Sequence, residues 1–274
     1  MLVLMLGSYW NDSATFDEKA HIPAGYANLF LRDYRLNPEH PPLLKALSAL
    51  PLVFIRPNFP TDSASWRDAV NGQWDQGGLM LYGAGNNADY ILRLTRLPII
   101  LLAVFFGWIL WRWAGKKFGS SAANLTLFFY AFSPTFLAHS RLVTTDLGAS
   151  FAFFIAIAAF LKFLDKPSPK NIVLAALAFG LAELIKFSLV LLAPIYGAML
   201  VISAFSKIES SFAERLKSFL KLVLKTTLIA LIGLVLIWAA YAYATWNYPA
   251  QKQLSDTAAI LGTSPLGALA KFDI

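Results

Sequence analysis

The sequence predicts an all-α polytopic membrane protein, and three observations carry that prediction. Hydrophobic residues fill 57% of the 274 positions while charged residues fill only 14%, and mean hydropathy is +0.57. A soluble domain normally has about a quarter of its residues charged. After residue 90 the chain is mostly a series of uncharged apolar segments of helix length. The 22 Phe and 8 Trp suit lipid-facing surfaces with aromatic anchors at the interfaces.

The formal net charge of +7 fits either nucleic-acid binding or the excess of Lys and Arg on cytoplasmic loops of membrane proteins. The second interpretation is favoured, because no basic run is interleaved with aromatic residues in a soluble context, and no nucleic-acid partner is expected. The sequence contains no Cys, which excludes disulfides and thiolate metal sites.

Residues 1–10 are predicted to be the end of a first transmembrane helix. The apolar run over residues 1–9 is shorter than the roughly 20 residues that a span needs. It also lacks the basic start of a signal peptide. We therefore expect the beginning of this helix to be missing or miscalled.

Residues 11–90 are predicted to form a long polar loop with short helices. Residues 17–31 are expected to form one helix, with Thr15 or Asp17 as its N-cap. Residues 43–54 are apolar but too short to span, which favours an interfacial helix. Residues 57–85 are rich in turn residues, and the Gly-rich run over residues 77–87 is predicted to be a loop.

Residues 91–250 are predicted to form a bundle of about six spans, followed by an outer tail, residues 251–274. The uncharged cores are residues 97–111, 118–138, 147–161, 171–182, 187–206 and 226–250. Several are short and would have to tilt or include flanking residues. Residues 206–225 place apolar and basic residues at helical spacing, which predicts an amphipathic helix on anionic lipid.

Basic residues predict the orientation. They occur on alternating loops, at Arg112, Lys116, Lys117, Lys162, Lys166, Lys170, Lys207, Arg215, Lys217, Lys221 and Lys225. By the positive-inside rule those loops are cytoplasmic. Residues 11–90, the turn at residues 139–146, the turn near Lys186 and the tail then lie on the outer face of the cell's inner membrane.

Ionisable side chains on the outer face predict a functional site, because such groups at the ends of apolar spans are costly and usually functional. They are Asp17, Glu18, His21, Glu39, His40, Arg93, Arg96, His139, Arg141, Asp146, Glu183 and Lys186. A nucleotide-binding loop motif is not found, so a group-transfer enzyme there needs a donor already in the membrane, such as a lipid-linked phosphate. Cations or a metal would stabilise the departing phosphate, and a carboxylate would accept a proton from the acceptor.

Several of these residues have a structural alternative that the sequence leaves open. Asp17 and Glu18 also suit a helix N-terminus, where negative charge is favoured. Asp146 also suits a helix cap. Glu183 and Lys186 are three residues apart and could pair with each other.

The histidines leave similar alternatives. For His21 a hydrogen-bonded structural role is favoured over a ligand role. For His40, contact with the donor phosphate and fixing of the loop are equally favoured. His139 and Arg141 are expected at the membrane interface.

Four motifs resemble the lipid-carrier-dependent glycosyltransferases of the GT-C superfamily, among them the dolichyl-phosphate-mannose protein mannosyltransferases and the lipid A aminoarabinose transferase. The motifs are Phe16-Asp17-Glu18; Asn37-Pro38-Glu39-His40-Pro41-Pro42-Leu43; Arg93 with Arg96-Leu97-Pro98; and Ser133-Pro134 with the run from His139 to Asp146. The resemblance covers residues 10–190, and the acidic pair followed by Glu-His-Pro-Pro-Leu is its most specific part. It implies a GT-C type transmembrane helix bundle with interfacial helices in a long first extracytoplasmic loop.

The resemblance also implies residue roles. Asp17 matches the family's presumed base for the acceptor, Glu18 matches its companion, and Asp146 matches a second outer-face Asp, so these three are the expected catalytic residues. Glu39 and His40 match an acidic-then-basic pair that lies near the donor phosphate or a bound divalent metal. A divalent metal at these two residues is therefore an open expectation, and no other cofactor is expected.

The residues expected to bind the donor phosphate are His40, Arg93, Arg96 and Lys186. Lys186 is included on its charge and predicted side alone, and the resemblance does not distinguish Arg93 from Arg96. An unperturbed His is mostly neutral at pH 7, which makes His40 a weaker phosphate partner than the Lys of some relatives.

The implied activity is inverting transfer of a sugar from a polyprenyl-phosphate donor to a hydroxyl of a protein, lipid or polysaccharide. Members of the family usually have more spans and often an outer C-terminal domain. The chain is therefore expected to be a fragment, a minimal homologue, or one half of a two-chain system with a partner subunit. Two rival functions are a transporter of lipid-linked intermediates and a non-catalytic membrane subunit. A transporter would favour ionisable residues at mid-span and symmetry between halves.

Overall fold

The computed structural model describes residues 1–206 and 211–262. Within those ranges the regular structure is helical and contains no strand, which confirms the all-α prediction. The helices are α1 (Leu2–Tyr9), α2 (Phe16–Tyr26), α3 (Pro42–Ala49), α4 (Ala64–Arg67), α5 (Gln73–Gly78), α6 (Ala88–Phe118), α7 (Ser120–Phe132), α8 (Pro134–His139), α9 (Asp146–Asp165), α10 (Pro169–Glu183), α11 (Leu192–Phe205), α12 (Phe212–Ala244) and α13 (Ala250–Leu261).

The described chain forms two compact units. The first contains Met1–Leu147 together with the described residues from Tyr243 onward, and the second contains Gly148–Ala242. The predicted loop over residues 11–90 therefore belongs to the same unit as the first long helix, α6. All the motif residues up to Asp146 lie in this first unit.

The helix predicted over residues 17–31 is confirmed. The backbone N–H and the hydroxyl of Thr15 both donate to the Glu18 carboxylate, at 2.9 and 3.1 Å, so that the capping side chain and the first turn fix each other. α2 continues as a π-helix over Ala27–Leu31. The helix ends at Arg32, whose left-handed φ of 54° turns the chain away.

The short apolar helix predicted over residues 43–54 is present as α3 followed by a 3₁₀-helix, Leu50–Phe54. The prediction of a loop over residues 77–87 is wrong, because α5 and a π-helix, Leu79–Gly83, occupy most of that range. Gly77 lies so close to the carbonyl oxygen of Lys19 that any Cβ there would collide with it. Gly77 thus lets α5 approach α2. In the sequence, a glycine needed for close helix packing cannot be distinguished from a glycine of a turn.

The core of the first unit lies under the motif residues. Its buried members come from α2, α3 with the 3₁₀-helix that follows it, the π-helix Leu79–Gly83, α6 and the turn before α9. They are Ile22, Ala49, Leu52, Met80, Leu81, Ile91, Leu92 and Val143. Burial of these side chains favours the fold by roughly 1.5–3 kcal/mol for each of the larger ones. The site residues are therefore held on a packed scaffold, although most of the segment is polar.

Four helical segments are long and apolar enough to cross a membrane: Ala88–Phe118, Asp146–Asp165, Phe187–Phe205 and Phe212–Ala244. They confirm the polytopic membrane prediction. Two further predicted spans are represented by α7, with 13 residues, and α10, with 15, each shorter than the roughly 20 residues of an ideal span.

Two predicted boundaries are corrected by the structure. Residues 118–138 do not form one helix, because α7 ends at Phe132 and a new helix begins at Pro134, whose ring and missing N–H cannot continue α7. The uncharged core at residues 97–111 lies within the longer helix α6, which begins at Ala88. The amphipathic helix and the last span are one continuous helix, α12, of 33 residues.

Two predictions fall partly outside the described residues. Lys207 of the predicted cytoplasmic loop lies there, and so do residues 263–274 of the predicted tail. The described part of that tail is helical, as α13.

The second unit is packed by small and aromatic side chains. A Cβ on Gly180 of α10 would lie 2.9 Å from the carbonyl oxygen of Gly233 on α12, so these two helices approach at backbone distance. Phe160 and Tyr196 stack in parallel with ring centroids 3.8 Å apart. Close helix contact through small residues is typical of membrane helices.

Candidate active site

The two acidic residues at the start of α2 have different environments. Glu18 is fully buried, at 0% exposure, whereas Asp17 is exposed. Glu18 accepts hydrogen bonds from Nε and Nη2 of Arg96, each at 2.7 Å, and from the Val143 N–H at 3.1 Å. The capping carboxylate is therefore also the partner of a buried guanidinium.

Arg96 uses every N–H of its guanidinium inside the protein. Besides Glu18, it donates to the carbonyl oxygens of Tyr9 at 3.1 Å, Asp12 at 3.0 Å and Ser13 at 2.9 Å. A guanidinium has five N–H donors and no acceptor, and the side chain is 0% exposed. In this arrangement Arg96 joins α6 to the end of α1 and to the segment before α2.

Burial alone would raise the pKa of Glu18. The hydrogen bonds and positive charge of Arg96, with the N–H groups of Thr15 and Val143, outweigh that effect and hold the pKa of Glu18 below its usual value. The carboxylate is therefore ionised at neutral pH. The sequence predicts a catalytic role for Glu18 and a phosphate-binding role for Arg96, and both stay predictions. The structure places the two side chains together as an enclosed pair.

His21 lies one helical turn after Asp17 and is 4% exposed. Its Nδ1 lies 2.8 Å from the carbonyl oxygen of Val143. A carbonyl oxygen can only accept, so Nδ1 carries the proton and Nε2 of the neutral ring is an acceptor.

The pKa of His21 is lowered to about 4, mainly by burial and also by the positive charges of Lys45 and His40. The hydrogen bond to the Val143 carbonyl, which is the second largest effect, and the charge of Asp17 both raise the pKa, but burial outweighs them. His21 is therefore neutral at pH 7.

His40 is half-buried, and its ring meets that of His21 edge to face, with centroids 5.0 Å apart and planes at 85°. Its carbonyl oxygen accepts from the Tyr34 hydroxyl and from Lys45 Nζ, each at 2.6 Å. Both the ring and the backbone of the Glu-His-Pro-Pro segment are thus fixed against neighbouring elements.

Lys45 was missed by sequence analysis. It is 1% exposed, and its Nζ donates to the carbonyl oxygen of Asn37 at 2.7 Å and to the side-chain oxygen of Asn37 at 3.0 Å, in addition to His40. Burial lowers the pKa of Lys45 to about 7, against an opposing effect of Glu39. Lys45 is the one charged residue within the apolar run at residues 43–54, and this is the signal that could have marked it.

Glu39 is exposed and joins a ring of amides. Its oxygens accept from Gln73 Nε2 at 2.5 Å and from Asn71 Nδ2 at 3.1 Å. Asn37 completes the ring through its N–H to Asn71 and its side-chain N–H to Gln73, at 2.8 and 2.6 Å. The loop between α2 and α3 is therefore joined to α5 through polar side chains.

One comparison with known proteins identifies the family. The sequence model of the dolichyl-phosphate-mannose-protein mannosyltransferase family matches residues 91–238, more than half of the 274-residue chain. The chain belongs to this family. No curated protein matches it significantly.

Membership in the mannosyltransferase family confirms the GT-C type bundle and supports a glycosyltransferase that uses a polyprenyl-phosphate-linked donor. The matched region includes Arg93, Arg96, Asp146 and Lys186. The acidic pair and the Glu-His-Pro-Pro segment precede it, so their assignment depends on the motifs and on the structure.

In this family member two further candidates of the first unit, Arg93 and Arg141, contact the end of α1 or the residues just after it. Arg93 donates from Nε to the Trp10 carbonyl at 3.0 Å, and its guanidinium lies 4.4 Å from the centroid of the Trp10 ring. Arg141 forms an ion pair with Asp12. Asp146 is the first residue of α9, which agrees with the alternative role as a helix cap that the sequence left open. Its carboxylate lies 3.5 Å from His139 Nδ1.

Glu183 and Lys186 belong to the second unit, at the end of α10 and directly after it. For a metal, the described ranges contain no group of three or more His, Cys, Asp or Glu side chains placed to hold an ion. A metal at Glu39 and His40 stays a prediction. In the structure the Glu39 carboxylate accepts hydrogen bonds from two side-chain amides of the protein.

Proposed function

We propose that the protein transfers a sugar from a polyprenyl-phosphate donor to an acceptor hydroxyl, with Asp17 as the general base. One observation carries this proposal: the acidic pair is divided between two environments. Glu18 is enclosed with Arg96, and Asp17 is exposed at the start of the same helix. Asp17 is therefore the carboxylate of the pair that an acceptor can reach, and family membership supports the donor class.

The reaction follows from these groups. The Asp17 carboxylate accepts the proton of the acceptor hydroxyl, whose oxygen attacks the anomeric carbon of the donor sugar. As that bond forms, the bond from the anomeric carbon to the phosphate oxygen breaks, and its electron pair leaves with the lipid phosphate. Attack from the face opposite the leaving group inverts the anomeric configuration.

The departing phosphate requires positive charge or N–H donors nearby. We assign this part to His40 and Arg93, which both belong to the first unit. A phosphate close to His40 would itself favour the protonated ring. Arg96 is given a positioning role, because all its donors are bound within the protein.

The membrane face is also part of the proposal. The basic loops favour a cytoplasmic position by the positive-inside rule, so the Asp17 segment would face the outer side of the inner membrane. There a donor already anchored in the lipid would supply the sugar. The acceptor would be a protein, a lipid or a polysaccharide.

The test is a transfer assay in reconstituted vesicles with radiolabelled mannose, glucose or aminoarabinose on dolichyl or undecaprenyl phosphate. Acceptors would be a Ser/Thr-rich peptide, a lipid extract and an oligosaccharide. We expect transfer by the wild type and a fall in kcat of about 10²–10⁴-fold in Asp17→Asn, the usual contribution of a general base.

The matched control is Asp62→Asn, which removes another exposed carboxylate of the same segment and should retain the wild-type rate. A wild-type rate in Asp17→Asn would remove Asp17 from the role of base. Movement of the lipid-linked donor across the vesicle without any sugar transfer would favour the transporter instead.

A further inference from the structure

Phe16, the residue before Asp17, is an exposed aromatic side chain with a fixed partner. It is the first residue of α2 and is 70% exposed. One face of its ring stacks on Trp74 of α5, with centroids 3.9 Å apart and planes inclined by 26°. The high exposure leaves the other face of the Phe16 ring open. Phe16 and Trp74 are called the aromatic platform below.

The platform is held by the scaffold beneath it. α5, which carries Trp74, is packed against α2 at the backbone contact between Gly77 and Lys19. Gln73, directly before Trp74, is buried and bonded to the side chains of Asn37 and Glu39. A ring presented by such an anchored pair loses little conformational freedom when a ligand stacks on it.

A series of contacts and sequence neighbours connects the platform to the residues of the proposed active site. Gln73 binds Glu39 at 2.5 Å, and Glu39 is followed by His40. The ring of His40 meets that of His21, which lies one turn after Asp17. Asp17 in turn follows the first residue of the platform. The open aromatic face and the exposed carboxylates Asp17 and Glu39 are thus linked through adjoining residues and direct contacts.

We propose that the aromatic platform stacks against the ring of a sugar, either that of the donor or that of a saccharide acceptor. A sugar ring has a face of C–H bonds, which packs on an aromatic ring, and a rim of hydroxyls, which donate to carboxylates. The platform with Asp17 and Glu39 offers both kinds of partner. This inference rests on the proposed glycosyl transfer and adds the residues that select and orient the sugar.

An exposed aromatic side chain could instead anchor the protein at the lipid interface. Phe54 provides the comparison, because it is 85% exposed at the end of the apolar 3₁₀-helix Leu50–Phe54. The surroundings of Phe16 differ, since an exposed carboxylate follows it directly. A polar environment is the setting of a sugar site and an unfavourable one for acyl chains.

The experiment compares Phe16→Leu, Phe16→Trp and the control Phe54→Leu in the transfer assay, with KM measured separately for donor and acceptor. Leu keeps apolar volume and removes the ring. We expect Phe16→Leu to raise one of the two KM values about 3- to 10-fold with little change in kcat, the range of an aromatic contact. Phe16→Trp should restore KM, and Phe54→Leu should leave it unchanged.

A rise in the donor KM alone assigns the platform to the donor sugar, and a rise in the acceptor KM alone assigns it to a saccharide acceptor. Both results support the proposal. Unchanged KM values in Phe16→Leu overturn it, and so does an equal effect of Phe54→Leu. Weaker retention of Phe16→Leu in vesicles at constant KM would overturn it in favour of a lipid anchor.

A direct binding measurement separates this inference from the proposed function. Saturation-transfer NMR with mannose 1-phosphate should show contact with the wild type that is weakened in Phe16→Leu and retained in Phe54→Leu. A wild type that transfers no sugar contradicts the proposed function, whereas equal signals from wild type and Phe16→Leu, both with mannose 1-phosphate and with the oligosaccharide acceptor, contradict the platform. Matching thermal midpoints of these variants would show that the fold is unchanged.

Discussion

Glu18 and Arg96 form an ion pair in which both side chains are 0% exposed, although 78 residues separate them in the sequence. The pair joins the start of α2 to α6, and Glu18 also holds the N–H of Val143 in the turn before α9. Three distant parts of the chain that carry motif residues therefore meet at one buried carboxylate.

We expect Glu18→Gln and Arg96→Met each to lower the free energy of unfolding by about 3–5 kcal/mol, because each leaves a buried charge without its partner. Thermal unfolding in detergent measures this. Arg67→Met, which removes an exposed Arg, should change stability by less than about 0.5 kcal/mol. Stability equal to wild type in both pair variants would contradict the structural role.

Acid should destabilise the protein through His21. Its folded pKa, about 4, lies below the ordinary histidine value of 6.5, so the unfolded chain binds a proton between those values while the native protein does not. The stabilisation is complete above pH 6.5 and is lost as the pH falls toward 4, by up to about 3 kcal/mol.

The corresponding variant is His21→Asn, whose amide can still donate to the Val143 carbonyl but does not titrate. Its unfolding midpoint should fall less than that of the wild type between pH 7 and pH 5. A profile of His21→Asn parallel to that of the wild type would show that His21 is not the group concerned.

Lys45→Met should loosen the Glu-His-Pro-Pro segment. The change removes the charged donor that the carbonyl groups of Asn37 and His40 share, and leaves them only the His40 N–H and the Tyr34 hydroxyl. Loss of a hydrogen bond to a charged group costs about 1.5–3 kcal/mol. Limited proteolysis should cut residues 37–41 faster than in wild type, and kcat should fall because His40 is displaced. Lys19→Met, which removes a less buried Lys of the same unit, is the control, and equal cleavage rates in both variants would argue against the role of Lys45.

Gly77→Ala should destabilise the first unit by about 1–3 kcal/mol, the usual cost of overpacking, because the new methyl group meets the Lys19 carbonyl. Gly7→Ala is the matched control: apart from its chain neighbours and the nearby backbone of its own helix, no heavy atom lies within 4 Å of a Cβ there. Since Gly7 lies in α1, Ala should be neutral or stabilising. Equal thermal midpoints for the two variants would show that α2 and α5 tolerate a wider separation.

Sequence reasoning was most successful where composition and local pattern decide the structure. Residues 17–31 form the expected helix because Thr15 and Glu18 satisfy each other within one turn. Four long apolar segments are helices of spanning length. The prediction from sequence failed at residues 77–87, where Gly77 permits close packing of α5 on α2 although its residue type also suits a turn.

The candidate site could be predicted only in part. The sequence marked Asp17, Glu18, His40 and Arg96 as a chemical set, but it did not predict that Glu18 and Arg96 pair with each other. Their mutual enclosure depends on how α2 and α6 pack, and no local pattern encodes the distance between them. Lys45 was missed for the same reason, since its partners are backbone carbonyls of a preceding loop.

The sequence by itself determined that this is a helical membrane protein with an acidic and basic segment ahead of its apolar helices, because hydropathy and helix capping are local properties. Only the tertiary structure decided which member of the acidic pair is enclosed and which is open. That choice depends on desolvation and on an ion pair between residues 78 positions apart, and both arise only when the helices pack.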